Sequence, residues 1–312
     1  MEQLQYDLIT YLTSVKMSSK IRVMVEGRDD KAHVSNVIAR LCSGVKFKVD
    51  VAADIKGICQ QTGKNNRAKI EKAHELIKDT GHHKRLLFLC DREARGFAVN
   101  DCVRDEINGH YVDGQLSWTA GHSIENYFLN SNFIESGLRY LTPSAFKDKA
   151  IALFVQTFPS AIKMIATSTL AAYQMKSVSY PCGAIGWKNV RLDGAGNIRV
   201  EFSTIQNPLI KKFEEAFLQF ESCIDLSDLD VCVKLCRGHT AIVLLKRVFA
   251  ACLCFVMTSA GDESAVNEAN IFDSINEKLI SNVLSEEWMK EIDRGGIDYP
   301  IALVDAIGSM SA

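Results

Sequence analysis

The chain has 312 residues, 47% of them hydrophobic and 24% charged, with a net charge of -2. That composition suits one large or two modest globular domains with a true core, and it excludes disordered and low-complexity classes. A near-neutral balance gives no global pull toward nucleic acid, so any contact with RNA or DNA must come from a local cluster of Lys and Arg.

The opening Met1-Glu-Gln-Leu-Gln-Tyr-Asp7 lacks the basic-then-apolar order of a signal peptide. The longest uninterrupted apolar run, Val248 to Met257, is shorter than a bilayer span. A cytoplasmic protein without a membrane segment is expected. The ten cysteines are scattered, and Cys90, Cys232, Cys252 and Cys254 fall inside expected strands and helices. They read as buried thiols of a reducing compartment rather than a disulfide framework.

Leu4, Leu8, Tyr11, Leu12 and Val15 recur at helical spacing, so residues 1–19 are expected to form an amphipathic helix, a lid or brace packed on the segment after it. From Ile21 the pattern alternates. A strand over 21–26, a helix from Asp29 to Cys42, a strand from Val45 to Val51, a helix from Asn65 to Lys78 and a strand from Arg85 to Cys90 predict a parallel sheet covered by helices. A further strand at Gln115–Thr119 leads into His122-Ser-Ile-Glu-Asn-Tyr-Phe-Leu129. Residues 130–228 break the rhythm with helical stretches, the turn formers of Pro181-Cys-Gly183, and a hairpin over Asn189–Phe202. This segment reads as an insertion subdomain. The sheet is expected to resume at Leu229–Cys236 and to lead into Arg237-Gly-His239 and a helix to Met257, so that 20–129 and 229–257 make one α/β core. Residues 258–312 read as an acidic, helical C-terminal segment. No internal repeat is visible, and Thr258–Ser264 is the nearest thing to a linker.

Two apolar strands end in acids: Val23-Met-Val-Glu26 runs into Gly27-Arg-Asp-Asp30, and Leu87-Phe-Leu-Cys90 runs into Asp91-Arg-Glu93. Ligands of open α/β sheets bind beyond the carboxyl ends of the strands, and carboxylate oxygens are the hard donors that suit magnesium or manganese. Phosphoryl transfer is the implied chemistry. A plainer reading makes each cluster a turn whose aspartate caps the next helix. His122-Ser-Ile-Glu125 fits a capping box poorly, since its acid falls two residues after the serine instead of three.

The ordered set Glu26 with Asp30, Asp91 with Glu93, and Ser123 with Glu125 resembles the Toprim domain, and more narrowly the Toprim nucleases of the overcoming-lysogenization-defect type. The pattern there is Glu-Gly-x-x-acid, Asp-x-Asp, then Ser-x-Glu. The resemblance covers residues 20–130, with 229–257 if the insertion is read correctly. It implies a Toprim-like parallel sheet flanked by helices, with Glu26, Asp91 and Glu93 holding a Mg2+ (or Mn2+) ion and Asp30 and Glu125 holding a second ion or orienting its water. Two departures stand out. Glu93 replaces the second aspartate of the middle element, and the lysine expected after the last core strand is missing, which leaves Arg237 and His239 as candidates for stabilising transition-state charge. In the alternative, Gly238 only breaks the strand and His239 starts the helix.

Glu-Gly-Arg-Asp-Asp, His-Ser-Ile-Glu-Asn-Tyr and Arg-Gly-His together are similar to the AriB-type Toprim effectors of the PARIS anti-phage defence system. That similarity implies a toxic endoribonuclease, held by an ABC-type ATPase partner (AriA-like) and released when a phage anti-restriction protein is sensed. Its substrate would be transfer RNA, cut in the anticodon region so that translation stops. A homodimer on release is also expected.

Substrate contacts are sought at Arg28, Lys64, Arg67, Arg92 and Arg95 near the carboxylates, at Lys188, Arg191 and Arg199 on the insertion, and at Arg237. Trp187 and Tyr180 could stack on unpaired bases, although core packing would explain both. Cys232-x-x-x-Cys236-x-x-His239 offers three zinc ligands without a fourth and is set aside. His82-His83-Lys84 reads as a solvated turn. An RNA nuclease, a DNA nuclease of the same family and a non-catalytic Toprim module that regulates an ATPase all remain compatible with these residues.

Overall fold

The computed structural model describes residues 6–107, 109–193, 195–292, 294 and 297–310. Leu4, part of the expected first helix, and Gly194, inside the expected hairpin, lie outside them. In chain order the elements are α1 (Leu8–Lys16), β1 (Ile21–Val25), α2 (Arg28–Leu41), β2 (Phe47–Val51), α3 (Gln60–Lys64), α4 (Asn66–Ile77), β3 (Leu86–Cys90), β4 (Phe97–Val99), β5 (Val103–Asp105), β6 (Val112–Asp113) and β7 (Leu116–Trp118). The chain continues through α5 (Ser131–Leu141), α6 (Lys147–Gln174), α7 (Tyr180–Ala184), β8 (Val190–Leu192), β9 (Ile198–Val200), α8 (Ile210–Asp225), α9 (Leu229–Leu235), α10 (Gly238–Ser259), α11 (Ala265–Asp273), α12 (Glu277–Ile292) and α13 (Ile301–Ser309).

The chain divides into two compact units, Met1–Arg92 with Ile107–Ile124 and Gly295–Ala312, and Glu93–Glu106 with Glu125–Arg294. The first is α/β. Its five-stranded sheet has the order β2-β1-β3-β7-β6, parallel except for the short edge strand β6. Strand β3 is buried along its whole length, which is why Leu-Leu-Phe-Leu-Cys shows no polar alternation. Helix α1 buries Leu8, Tyr11, Leu12 and Val15 in the same core cluster as Met24, Ile70, Phe88 and Trp118. It is a brace rather than a lid. Tyr11 also donates its hydroxyl to Asp50, which accepts Arg22 Nε at 2.6 Å.

The second unit is mainly helical. Helices α6 and α10 run through its core, joined by the ring contact Phe154–Phe249, while Phe249–Phe272 ties α10 to α11 and Tyr127 stacks on the fully buried Trp288. Both helices are long and apolar enough to cross a membrane, and 61% and 72% of their most apolar windows are buried inside the protein. The expectation built on the uninterrupted run Val248–Met257 missed this, because α6 spreads its apolar residues among small and hydroxylated ones.

Three expectations fail against the structure. Residues Leu229–Leu235 are a helix, not a returning strand. Leu229, Val231, Val233 and Leu235 alternate like a strand, but Cys232 and Leu235 bury one helical face, and Asp230 in the first turn and Lys234 in the last complement the helix dipole. The sheet is therefore not completed by residues 229–236, and Lys234 sits on a helix, 3.8 Å from Asp105. Pro181-Cys-Gly183 is not a turn but lies within α7, where proline in the first helical turn gives up only an N–H that would lack a partner anyway. The hairpin β8–β9 is present, with Arg191 opposite Arg199.

Candidate carboxylate site

Strands β1 and β3 are neighbours in parallel register, with Met24 opposite Phe88. Extending that register sets Glu26 level with Cys90, one residue before Asp91, so both acids follow their strands at the carboxyl edge of the sheet. The Asp91 backbone N–H donates to Glu26 Oε1 at 3.1 Å, which orients the glutamate. Gly27 is the N-cap of α2, and its N–H donates to Asp30 Oδ2 at 2.7 Å. A Cβ on Gly27 would lie 3.2 Å from that oxygen, so glycine leaves room for the cap. Asp30 thus performs the capping that the plainer reading assigned to it.

The buried Cys90 thiol records the local charge. Burial, then Glu26, Glu71 and Asp91, push it well above its ordinary value, with Arg67 opposing. No sequence signal singles out Glu71. It lies mid-helix in α4, where an acid followed by Lys72 reads as solvated surface, and only the packing of α4 against β3 brings it to this edge. Arg67, one turn earlier, is 3.9 Å from Glu71. It places positive charge beside the carboxylates, as a phosphate contact would need.

Arg92 does not. It is 1% exposed, its N–H donates to Thr119 Oγ1 and its guanidinium to the Ala120 carbonyl, so it is a structural strut and not a substrate contact. Ser123 and His122 are buried in the first unit. Glu93 and Glu125 belong to the second unit, Glu125 in a one-turn 3-10 helix over Ile124–Phe128. Glu93 has φ 53°, a left-handed conformation that a residue with a side chain rarely adopts and that tends to cluster at functional sites. The neighbouring Asn126 donates its amide to the carbonyls of Val233 and Cys236, which holds the 3-10 turn against the end of α9.

The remaining candidates scatter. Arg28, the first residue of α2, pairs with Asp54 at 3.0 Å, with both side chains in solvent. Lys64 ends α3 and is exposed, as is Arg95 in the second unit. Lys188 lies 5.6 Å from the Trp187 ring centroid, and Arg191 pairs with Glu201. Tyr180 is buried and packs against Phe213, so it is core and not a base-stacking platform. Arg237 is the N-cap of α10 and donates to Thr240, while His239, in the first turn, lies 3.4 Å from Glu277. Cys232 and Cys236 are buried, and burial pushes the Cys232 thiol up to about 11.

Magnesium is ordinarily held by one or two carboxylates, with water and substrate phosphate filling the other positions. Glu26 and Asp91 are hard donors that fit such a partial shell. Among the described residues no group of three or more His, Cys, Asp or Glu side chains converges to hold a metal ion. No protein-family model matches the chain, and no curated protein matches it.

Proposed function

We propose that the protein is a Toprim-type, metal-dependent endoribonuclease, a toxic effector of anti-phage defence that cuts host transfer RNA in the anticodon region. One observation carries the nuclease part of this reading: two carboxylates on adjacent parallel strand ends, tied by the hydrogen bond from the Asp91 N–H to Glu26 Oε1. In an open α/β sheet that edge is where ligands bind. Glu26 and Asp91 are the residues that would hold Mg2+ or Mn2+. Bound there, such an ion would polarise a phosphodiester and lower the pKa of an attacking water.

The chain's own residues prepare that edge. The sheet fixes the spacing of the two acids, the Asp91 N–H sets the direction of Glu26, and the α2 cap frees the backbone to turn away from the strand. Glu93 and Glu125 enter this reading through the sequence motif alone. The choice of RNA, the anticodon region, the ABC-type ATPase partner, the phage anti-restriction trigger, the released homodimer and the cytoplasmic setting rest on the family resemblance alone.

The test is to sequence small-RNA ends after brief expression of the wild type and of Glu26→Gln in one bacterial host, with genomic DNA integrity followed in parallel. Discrete transfer-RNA ends that vanish in Glu26→Gln are expected. DNA breaks in their place would assign the protein to the DNA nucleases, and equal RNA cleavage by Glu26→Gln would overturn the site.

A further inference from the structure

In the second unit, β9 pairs with β8 on one side only, and no other strand among the described residues covers its second edge. The Asp193 N–H donates to the Asn197 carbonyl and the Glu201 N–H to the Asn189 carbonyl, which turns Asn197, Arg199 and Glu201 toward the ladder with β8. Main-chain groups alternate in direction along an antiparallel strand, so those of Ile198 and Val200 point away from β8. The Ile198 N–H goes to Ser160 Oγ of α6 at 3.0 Å. The Ile198 carbonyl and both main-chain groups of Val200 make no hydrogen bond to another described residue. The hairpin is held in place at its tip as well, where a Cβ on Gly196 (φ 92°) would lie 3.0 Å from the Gln156 side chain of α6.

That edge borders a groove of about 690 Å³ built entirely within the second unit. Its apolar lining is Met164 of α6 with Phe202 and Phe217, whose ring centroids are 5.2 Å apart. Helix α8 adds Glu214, Leu218, Glu221 and Asp225, which follow one another at i, i+4, i+7 and i+11 and so form one stripe. Leu218 is 56% exposed there. The three carboxylates have no ion pair among the described residues. Of the two cations at the groove, Lys163 donates to the Asp225 carbonyl at 2.7 Å and offsets the negative end of α8, which leaves three acids against Arg199.

We propose that this groove receives an extended segment of a partner protein as a third strand on β9, a segment that alternates apolar side chains with Lys or Arg. Main-chain bonds to Ile198 and Val200 supply the pairing, and the side chains supply the selectivity. The apolar ones cover Met164, Phe217 and Leu218. The basic ones reach across to Glu214, Glu221 and Asp225. Glu26 and Asp91 take no part, so the groove stands or falls independently of the nuclease reading.

The experiment titrates the full-length protein into a fluorescein-labelled heptapeptide of alternating lysine and valine at physiological ionic strength and follows anisotropy. Binding is expected, and a peptide with proline in place of its central valine should bind about tenfold more weakly, the scale of one lost hydrogen bond in a groove. Val200→Pro removes an outward N–H without touching the ladder to β8, and it should weaken binding of the original peptide by about the same factor. Reversing the stripe with Glu214→Lys and Glu221→Lys should weaken it by about tenfold or more, whereas Glu263→Lys, an exposed acid outside the groove, should leave it unchanged. Circular dichroism checks each fold, and if a groove variant unfolds, the proline peptide on the wild type decides. No binding up to millimolar peptide would overturn the proposal. So would equal binding of the proline peptide, which would leave charge attraction alone, or folded groove variants that bind as the wild type does.

Discussion

Two cysteines, one at the end of a strand and one beside the start of a helix, have thiols driven in opposite directions. Cys90 closes β3 in the first unit, where Glu26, Glu71 and Asp91 add to burial and push its thiol well up. Cys182 sits against the start of α10 in the second unit, where His239, Thr240 and Arg237 outweigh burial and bring its thiol down. The side chain is the same in both places. Parallel strand ends gather acids and so favour cations, whereas a helix start offers N–H groups and here a histidine, and so favours an anion. The same thiol is therefore disfavoured as an anion in the first place and favoured in the second.

The largest expected effect breaks the acidic side of this contrast. Glu26→Gln keeps the size of the side chain and removes its charge, and Asp91→Asn does the same next door while keeping the N–H that Glu26 accepts. Each is expected to lower metal-dependent RNA cleavage by about a thousandfold, the scale on which catalytic carboxylates act. The measurement is single-turnover cleavage of total transfer RNA at saturating Mg2+, with circular dichroism to confirm folding. The thiol side is sharpened by N-ethylmaleimide. Cys182 should react within minutes in the native protein, and Cys90 only as fast as the first unit opens, which mass mapping in rising urea would track.

Much of this arrangement is legible in the sequence, and unevenly so. The strand ending at Cys90 announces itself as a continuous apolar run and the one ending at Val25 as a run broken only by Arg22, and both lead into acids. Asp30 is ambiguous because one short acid can cap a helix or face a ligand, and it caps. Leu229–Leu235 misleads because a short run of alternating apolar residues fits both periods, and only contact with α6 selects the helix. Glu71 and Glu277 carry no sequence signal at all. Each is an acid at a helix surface, and its role depends on which distant residue the fold sets against it, Cys90 for one and His239 for the other.

A smaller effect tests whether the two units stand on their own cores. Trp288 is fully buried in the second unit and stacks on Tyr127 with ring centroids 5.6 Å apart, while Phe88 is fully buried at the centre of the first unit's sheet. Truncating either to alanine should cost about 3–5 kcal/mol. In urea titrations, Trp288→Ala should shift the transition that exposes Cys252, and Phe88→Ala the transition that exposes Cys90. A single transition shifted equally by both variants would mean that the units unfold together.

The smallest effect extends the contrast from cysteine to histidine. His74, on α4 in the first unit, is buried, with Nδ1 4.0 Å from Asp113, and burial holds its imidazole below the ordinary value. The unfolded chain therefore binds more protons than the folded one below about pH 6.5, so the contribution of His74 is complete above that pH and is lost as pH falls through the lowered folded value. His239 runs the other way. Its imidazole is held high by Cys182 and Glu277, so its contribution is complete below about pH 6.5 and is lost as pH rises through the raised folded value. Urea midpoints between pH 5 and pH 8 should therefore fall on the acid side less steeply in His74→Gln than in wild type, and on the alkaline side less steeply in His239→Gln. The second change should be the weaker one, since His239 is half exposed and water screens its pair with Glu277. If both variants flattened the same side, burial at His74 and charge pairing at His239 would not be the opposed causes argued for them.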